Sequence, residues 1–241
     1  MNSFIIITGA SKNHSRSLIQ FLNSLYKNVK VDFKCVVYDL GLKDAYSSVE
    51  ALQKKYNFTL RVFDYSKYPS YFQIEINAGE YAWKPIIIED TMNQEKRESI
   101  LLWCDSGNII RNNLIPNIKK FIELNHIYTP IANLKLKDFT HRKTLDFFHI
   151  YEEHKSMLDN SNRNGAIIGF NLNIDSVRDF IKEFARCALI KECIAPEGSN
   201  RGNHRQDQSV LTILFYLYVK KYPQIQVIKD YLGIKIHQDC D

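Results

Sequence analysis

Apolar positions recur along the chain in two alternating rhythms. Phe4-Ile5-Ile6-Ile7-Thr8 is a short β-branched run that stops at Gly9-Ala10-Ser11, and Leu18, Ile19, Leu22, Leu25 and Tyr26 then follow at helical spacing. The opening therefore reads strand, loop, helix. The same order returns with a strand at Phe33–Tyr38, a break at Gly41, a helix marked by Val49, Leu52 and Tyr56, and a strand at Leu60–Phe63. Strands alternating with helices predict an α/β fold with a mostly parallel central sheet flanked by helices, since each parallel return needs a crossover.

Between Asp64 and Gly79 the chain is aromatic and polar, as in a loop packed on the sheet, and Tyr81–Met92 reads as a helix that tolerates Pro85 near its first turn. Ile100-Leu101-Leu102-Trp103-Cys104 is a continuous apolar run ending abruptly at Asp105-Ser106-Gly107, the pattern of a buried central strand. A carboxylate at such a strand end faces a crevice. Further helices are predicted at Leu114–Leu124, over Val177 to Leu189 and at Asp207–Lys221, with a second buried strand at Gly165–Asn171 and strand-like pieces at Gln226–Ile228 and Gly233–Ile236. Ala195–Gln206, rich in Gly, Asn and basic residues, reads as a loop able to move. With no repeat, low-complexity tract or linker, residues 1–241 read as one domain.

Composition narrows the function classes. Thirty-two Lys+Arg against 27 Asp+Glu leave a net charge of +5, enough to favour anionic ligands but without the dense basic runs of a nucleic-acid-binding arm, so no nucleic-acid partner is expected. Five scattered cysteines without a CxxC pair argue against a disulfide framework or zinc ribbon and for the cytoplasm or another reducing compartment. The N-terminus has no signal-peptide pattern, and no apolar run approaches the ~20 residues that span a bilayer.

Several local motifs fail on spacing. His149 and His154 sit five apart, about 140° around a helix, so they do not form the one-face pair of a zinc protease. Cys187 and Cys193, six apart on a predicted helix, are expected to face different directions as packing residues. No GxSxG elbow occurs. Thr8-Gly9-Ala10-Ser11 resembles the opening of a short-chain dehydrogenase, but Lys12-Asn13-His14-Ser15-Arg16 supplies none of the later glycines, which leaves an NAD(P)-dependent reductase as an alternative.

Four segments in order carry a sharper signal: Tyr81-Ala82-Trp83-Lys84-Pro85, Leu102-Trp103-Cys104-Asp105-Ser106-Gly107, Asn164-Gly165-Ala166-Ile167-Ile168-Gly169-Phe170 and Arg205-Gln206-Asp207-Gln208. Together they resemble a GT-A-fold nucleotide-sugar glycosyltransferase of the glycogenin-like kind, and within that fold a group carrying Tyr38-Asp39-Leu40-Gly41-Leu42. The resemblance covers nearly the whole chain. It implies transfer of a sugar from a nucleoside-diphosphate-sugar donor, UDP-linked by preference, to an acceptor hydroxyl on a glycan, protein or small molecule. The alternative within the fold is a catalytically silent nucleotide-sugar-binding relative.

The resemblance also implies roles. Asp105 matches the first carboxylate of the DxD motif, Ser106 lies between, and Gly107 stands where the second carboxylate belongs. That substitution places a manganese or magnesium cofactor in question, because a lone Asp is a poor divalent-ion site. His237 falls where such enzymes place a late metal-binding His, and Asp239 offers one more oxygen. Lys84 resembles the cation aimed at the donor diphosphate, a task that Arg201, His204 and Arg205 can share from their loop. Asn164, Gly165 and Ala166 resemble the small-residue lining of the donor sugar, with Gly169 a packing glycine. Asp207 and Gln208 resemble the carboxylate–amide pair at the reacting sugar, and Asp207 also reads as a helix N-cap. Thr8, Gly9, Ala10 and Ser11 match the segment that receives the nucleoside; Asp39 resembles a base or ribose contact, and Tyr38 either stacks on the base or is a buried, hydrogen-bonded Tyr.

Overall fold

A computed structural model describes residues 3–112 and 115–241. In chain order the elements are β1 (Phe4–Ala10), α1 (Ser15–Asn28), β2 (Lys34–Asp39), α2 (Tyr46–Tyr56), β3 (Thr59–Val62), α3 (Trp83–Gln94), β4 (Ile100–Cys104), β5 (Ile109–Ile110) and α4 (Ile115–Asn125). Then come β6 (Ile127–Tyr128), β7 (Ile131–Lys135), α5 (Arg142–Phe147), α6 (Ile150–Glu153), β8 (Ser161–Arg163), β9 (Ile167–Asn171), α7 (Asp175–Ala188), α8 (Lys191–Ile194), α9 (Gln206–Lys221) and β10 (Ile234–Lys235). The predicted start of α4, Leu114, lies outside the described residues.

The main sheet runs β3-β2-β1-β4-β9-β6. Neighbours are parallel from β3 to β4, whereas β9 is antiparallel to both β4 and β6. Every residue of β1, β4 and β9 is buried, as the unbroken apolar runs require of strands covered on both faces. Alternate residues serve the two faces: Ile5, Ile7, Leu101 and Trp103 join the core under α3, α7 and α9, while Phe4, Ile6, Leu102 and Cys104 join the core under α1 and α4. At the antiparallel seam β9 needs a glycine. A Cβ on Gly169 would lie 2.3 Å from Ile122 Cδ1, which bears out its reading as a packing residue.

Several local expectations change. No strand forms at Gln226–Ile228, and the last strand is only Ile234–Lys235. The chain breaks between α7 and α8 instead of continuing as one helix, so Cys193 folds back and its thiol meets that of Cys187. The 149–154 segment makes a single turn with His149 at its N-cap. Ahead of α3, the five residues Asn77 to Tyr81 all take positive φ, between 47° and 63°. Such a left-handed turn costs about 1 kcal/mol or more for each non-glycine residue. It persists because Gly79 is packed where any Cβ would come within 2.3 Å of the Phe72 carbonyl oxygen, and Trp83 Nε1 donates to Ala78 O at 3.0 Å.

Candidate active site

Parallel strands leave a crevice outside their carboxyl ends. Here it is a cavity of about 1110 Å³ bounded by Gly9–His14 at the end of β1 and just after it, Leu40 and Gly41 after β2, Asp105–Asn108 after β4, Asn164–Ala166 before β9, the first turn of α9 and the C-terminal residues Ile236, His237 and Asp239.

Lys84 lies buried in its wall. It occupies the first turn of α3, where Pro85 is harmless because the first four helix N–H groups lack intrahelical acceptors. Its side chain is 3% exposed, yet its Nζ lies 3.1 Å from Asp105 Oδ1 and 2.8 Å from Asp207 Oδ2, and donates to Gly165 O at 3.0 Å. The contact with Asp207 is the shorter of its two ion pairs. Burial alone would push the ammonium's pKa down, but Asp105 and Asp207 hold it above the usual lysine value. Asp207 is itself buried, and burial raises its pKa despite the attraction of Lys84. The rings of Trp83, Trp103 and Tyr81 lie 5.6–5.9 Å from Nζ and exclude water around the charge.

Asp105 is aimed by Trp103, whose Nε1–H donates to Oδ1 at 2.7 Å, and by the bond from its own N–H to Ala166 O. Gly165 matters by what it lacks: a Cβ there would lie 3.2 Å from Asp207 Oδ2. Gly107 is more demanding. A Cβ would come within 2.4 Å of Asp239 Oδ1, so the carboxylate of Asp239 occupies the notch that a side chain at 107 would fill. His14 Nε2 lies 3.9 Å from the same oxygen. The space beside Gly107 is thus filled by the acidic side chain of residue 239.

Not all expected residues reach the cavity. Gly9, Ala10, Ser11, Lys84, Asp105, Ser106, Gly107, Asn164, Gly165, Ala166, Arg205, Asp207, Gln208, His237 and Asp239 line it. Thr8, Tyr38 and Asp39 do not. Thr8 is fully buried within β1. Tyr38 packs in the core and donates to Asp90 Oδ2 at 2.6 Å. Asp39 accepts the N–H groups of Gly41 and Leu42 and stabilises its own turn. Asp207 is not the N-cap of α9, a place taken by Arg205, but the second residue of the helix. His204 is fully buried: its Nε2 meets Ile194 O at 2.8 Å and its Nδ1 accepts from His141 N, which makes it an anchor of the 195–205 loop rather than a diphosphate contact.

Sequence reasoning missed the left-handed turn. It brings Ala78 and Tyr81 to the cavity wall, where Arg201 Nη1 donates to the Tyr81 hydroxyl, and it places Glu80 3.2 Å from Gln206 Nε2. The only local signal was Gly79. His14, Lys229 and Tyr231 also line the wall and carried no signal in the pattern.

Among the described residues no three His, Cys, Asp or Glu side chains converge closely enough to hold a metal by themselves. Asp105 Oδ1 is already engaged by Trp103 and Lys84, and the Asp239 carboxylate lies in the Gly107 notch.

A family model described as "Protein of unknown function (DUF1647)" matches residues 1–89. No curated protein matches the sequence. Among solved structures, mouse xyloside xylosyltransferase 1 in its apo form superposes with a TM-score of 0.57 at 11% identity over 99% of this chain and 98% of that one. The galactosyltransferase LgtC, solved with donor and acceptor sugar analogs, gives 0.57 at 15% identity over 97% and 86%. The apo bifunctional glycosyltransferase WbbM gives 0.58 at 14% identity over 90% of this chain and 38% of that one. The chain therefore has the GT-A glycosyltransferase fold, as its sequence motifs led one to expect.

Proposed function

We propose that the protein is a glycosyltransferase that moves a sugar from a nucleoside-diphosphate donor to an acceptor hydroxyl. One observation carries this reading. A buried ammonium, Lys84, is clamped between a strand-end carboxylate, Asp105, and a helix carboxylate, Asp207, in the wall of a cavity large enough for a nucleotide sugar.

Each group has a task that follows from its surroundings. Asp105 presents its free oxygen to the donor while Lys84 and Trp103 fix its orientation. Gly165 and Ala166 keep the wall beside Asp207 low, so a pyranose can approach the carboxylate and Gln208. Arg201, Arg205 and Lys229 line the same cavity and offer charge to an anionic leaving group. A divalent ion, if bound, would be held by Asp105 and Asp239 with His237 nearby, and would supply charge neutralisation at the diphosphate.

The competing dinucleotide reading is weakened at α1. In dinucleotide folds the helix after the first strand receives the pyrophosphate on its N-terminal N–H groups. In this protein the N–H groups of Arg16 and Ser17 already donate to the Asp241 carboxylate, at 2.8 and 2.9 Å.

A thermal-shift panel of UDP, GDP and NADPH, each with and without manganese, tests the proposal. A nucleoside diphosphate should raise Tm, and its sugar-linked form should be consumed in the presence of a sugar acceptor. Stabilisation by NADPH alone would overturn it.

A further inference from the structure

Residues 236–241 form no helix or strand, yet they are pinned at successive points. Gln238 N–H donates to Gly107 O at 2.7 Å, and Gln20 Nε2 donates to Gln238 O at 2.9 Å. Cys240 N–H donates to Ser17 Oγ at 3.0 Å. Asp241 closes the strap: Oδ1 accepts from Arg16 N–H, and Oδ2 accepts from Ser17 N–H and from the Ser17 hydroxyl. Helix α1 has no side-chain cap of its own, because His14 at its N-cap makes no such bond. The orphan donors of its first turn are satisfied by a residue from the far end of the sequence.

Asp239 itself has little to hold it. Its described ion-pair contact is His14, at the long distance of 3.9 Å, and 45% of its side chain is exposed. Its seat in the Gly107 notch depends on the bonds on either side, at Gln238 and at Cys240 and Asp241.

We infer that Asp241 and Ser17 are positioning residues for the donor site: by capping α1 they draw the 236–241 strap taut and seat the Asp239 carboxylate against Gly107. This rests on the glycosyltransferase reading, because Asp239 matters only if the cavity takes a nucleoside diphosphate. The clasp links the first turn of α1 to the diphosphate end of the cavity. Without it a six-residue segment must be ordered at the moment of binding, and that loss of freedom weakens affinity.

The test uses the full chain, UDP with Mn²⁺ as probe, calorimetric titration for affinity and hydrogen exchange for the tail. Asp241→Ala should weaken UDP·Mn²⁺ binding about tenfold, the scale of a lost helix cap, and speed exchange in peptides spanning 234–241. Asp241→Asn keeps an acceptor for one amide and should fall between, which keeps the test readable if the alanine variant is poorly folded. A second arm separates positioning from general stability. Gly107→Asp alone should weaken binding, because the new side chain meets Asp239; adding Asp241→Ala frees the tail, lets the new carboxylate take the notch and should restore affinity. Equal UDP affinity in wild type and Asp241→Ala overturns the clasp and leaves the transferase reading standing. Failure of wild type to bind either UDP or GDP overturns that reading and the clasp with it.

Discussion

Asp105 and Asp239 reach the same cavity by opposite routes. Asp105 follows a fully buried strand paired on both sides, so the sheet register fixes its position before any polar contact is made. Asp239 belongs to a segment without regular structure and is placed by hydrogen bonds from α1 and from the 107 turn. The same division runs round the whole site. Lys84 stands on α3, and Asp105 and Gly165 sit in turns at the ends of β4 and β9, whereas the 195–205 loop and the tail are tethered by individual side chains such as His204 and Asp241. A wall built by the sheet is indifferent to the loss of one bond; a tethered wall is only as firm as its few ties.

Lys84 is where the packed wall is most vulnerable, because its charge is balanced rather than solvated. Lys84→Ala leaves the buried carboxylate of Asp207 without its cation, and breaking such a pair from one side costs about 3–5 kcal/mol. Turnover should fall by roughly 10²-fold as Asp105 and Asp207 lose the group that orients them. Urea unfolding and donor kinetics check both. The sharper arm is Lys84→Met with Asp207→Asn, which removes both charges and should recover most of the stability but none of the turnover. A Lys84→Ala protein as stable as wild type would mean that the packed wall does not depend on this pair.

The packed wall was also the legible one. Ile100–Cys104 could be read as a central strand because five apolar residues in a row have no amphipathic helical or edge-strand explanation, and the position of Asp105 follows at once. Lys84 was legible as a residue type beside Pro85 in a predicted helix, but its burial was not, since nothing local tells that Asp207 lies opposite. The misplaced residues show the limit from the other side. Tyr38 and Asp39 end a strand just as Asp105 follows one, yet Tyr38 falls on the core face and Asp39 turns back on its own amides. Strand period places a side chain on a face but does not say which partner will claim it. The tethered wall carries no period at all: the Asp241 bonds to α1 join opposite ends of the chain, and the left-handed turn at 77–81 is held by Phe72 and Trp83 against its local preference.

The tethered wall holds a pH-sensitive tie. Burial holds the pKa of His204 down to about 4, although its bond to Ile194 O works the other way. With the folded value below the ordinary 6.5, the neutral imidazole is the form the fold requires. Its contribution is complete above pH 6.5 and is lost as pH falls through the interval down to about 4, amounting to about 3 kcal/mol over that window. Denaturant titrations between pH 7 and 4 should show this slope in wild type, and His204→Gln, less stable at neutral pH, should show a shallower one. Identical slopes would mean that the loop is not anchored through a neutral histidine.

The two carboxylates themselves give the finest comparison. Asp105→Asn weakens the acceptor shared by Lys84 and Trp103 and removes a charge from the donor wall, so it should reduce both donor affinity and turnover, on the order of a hundredfold in kcat/KM. Asp239→Asn leaves every packed contact intact and keeps the notch filled, so its effect should be confined to donor or manganese affinity, about tenfold, with Tm unchanged. Titrating manganese against each variant at saturating donor separates the cases: added metal should rescue Asp239→Asn and leave Asp105→Asn impaired. If excess manganese restored both equally, the strand-end carboxylate would be doing no more than the tethered one, and the distinction between a wall fixed by register and a wall held by ties would have no consequence for the chemistry.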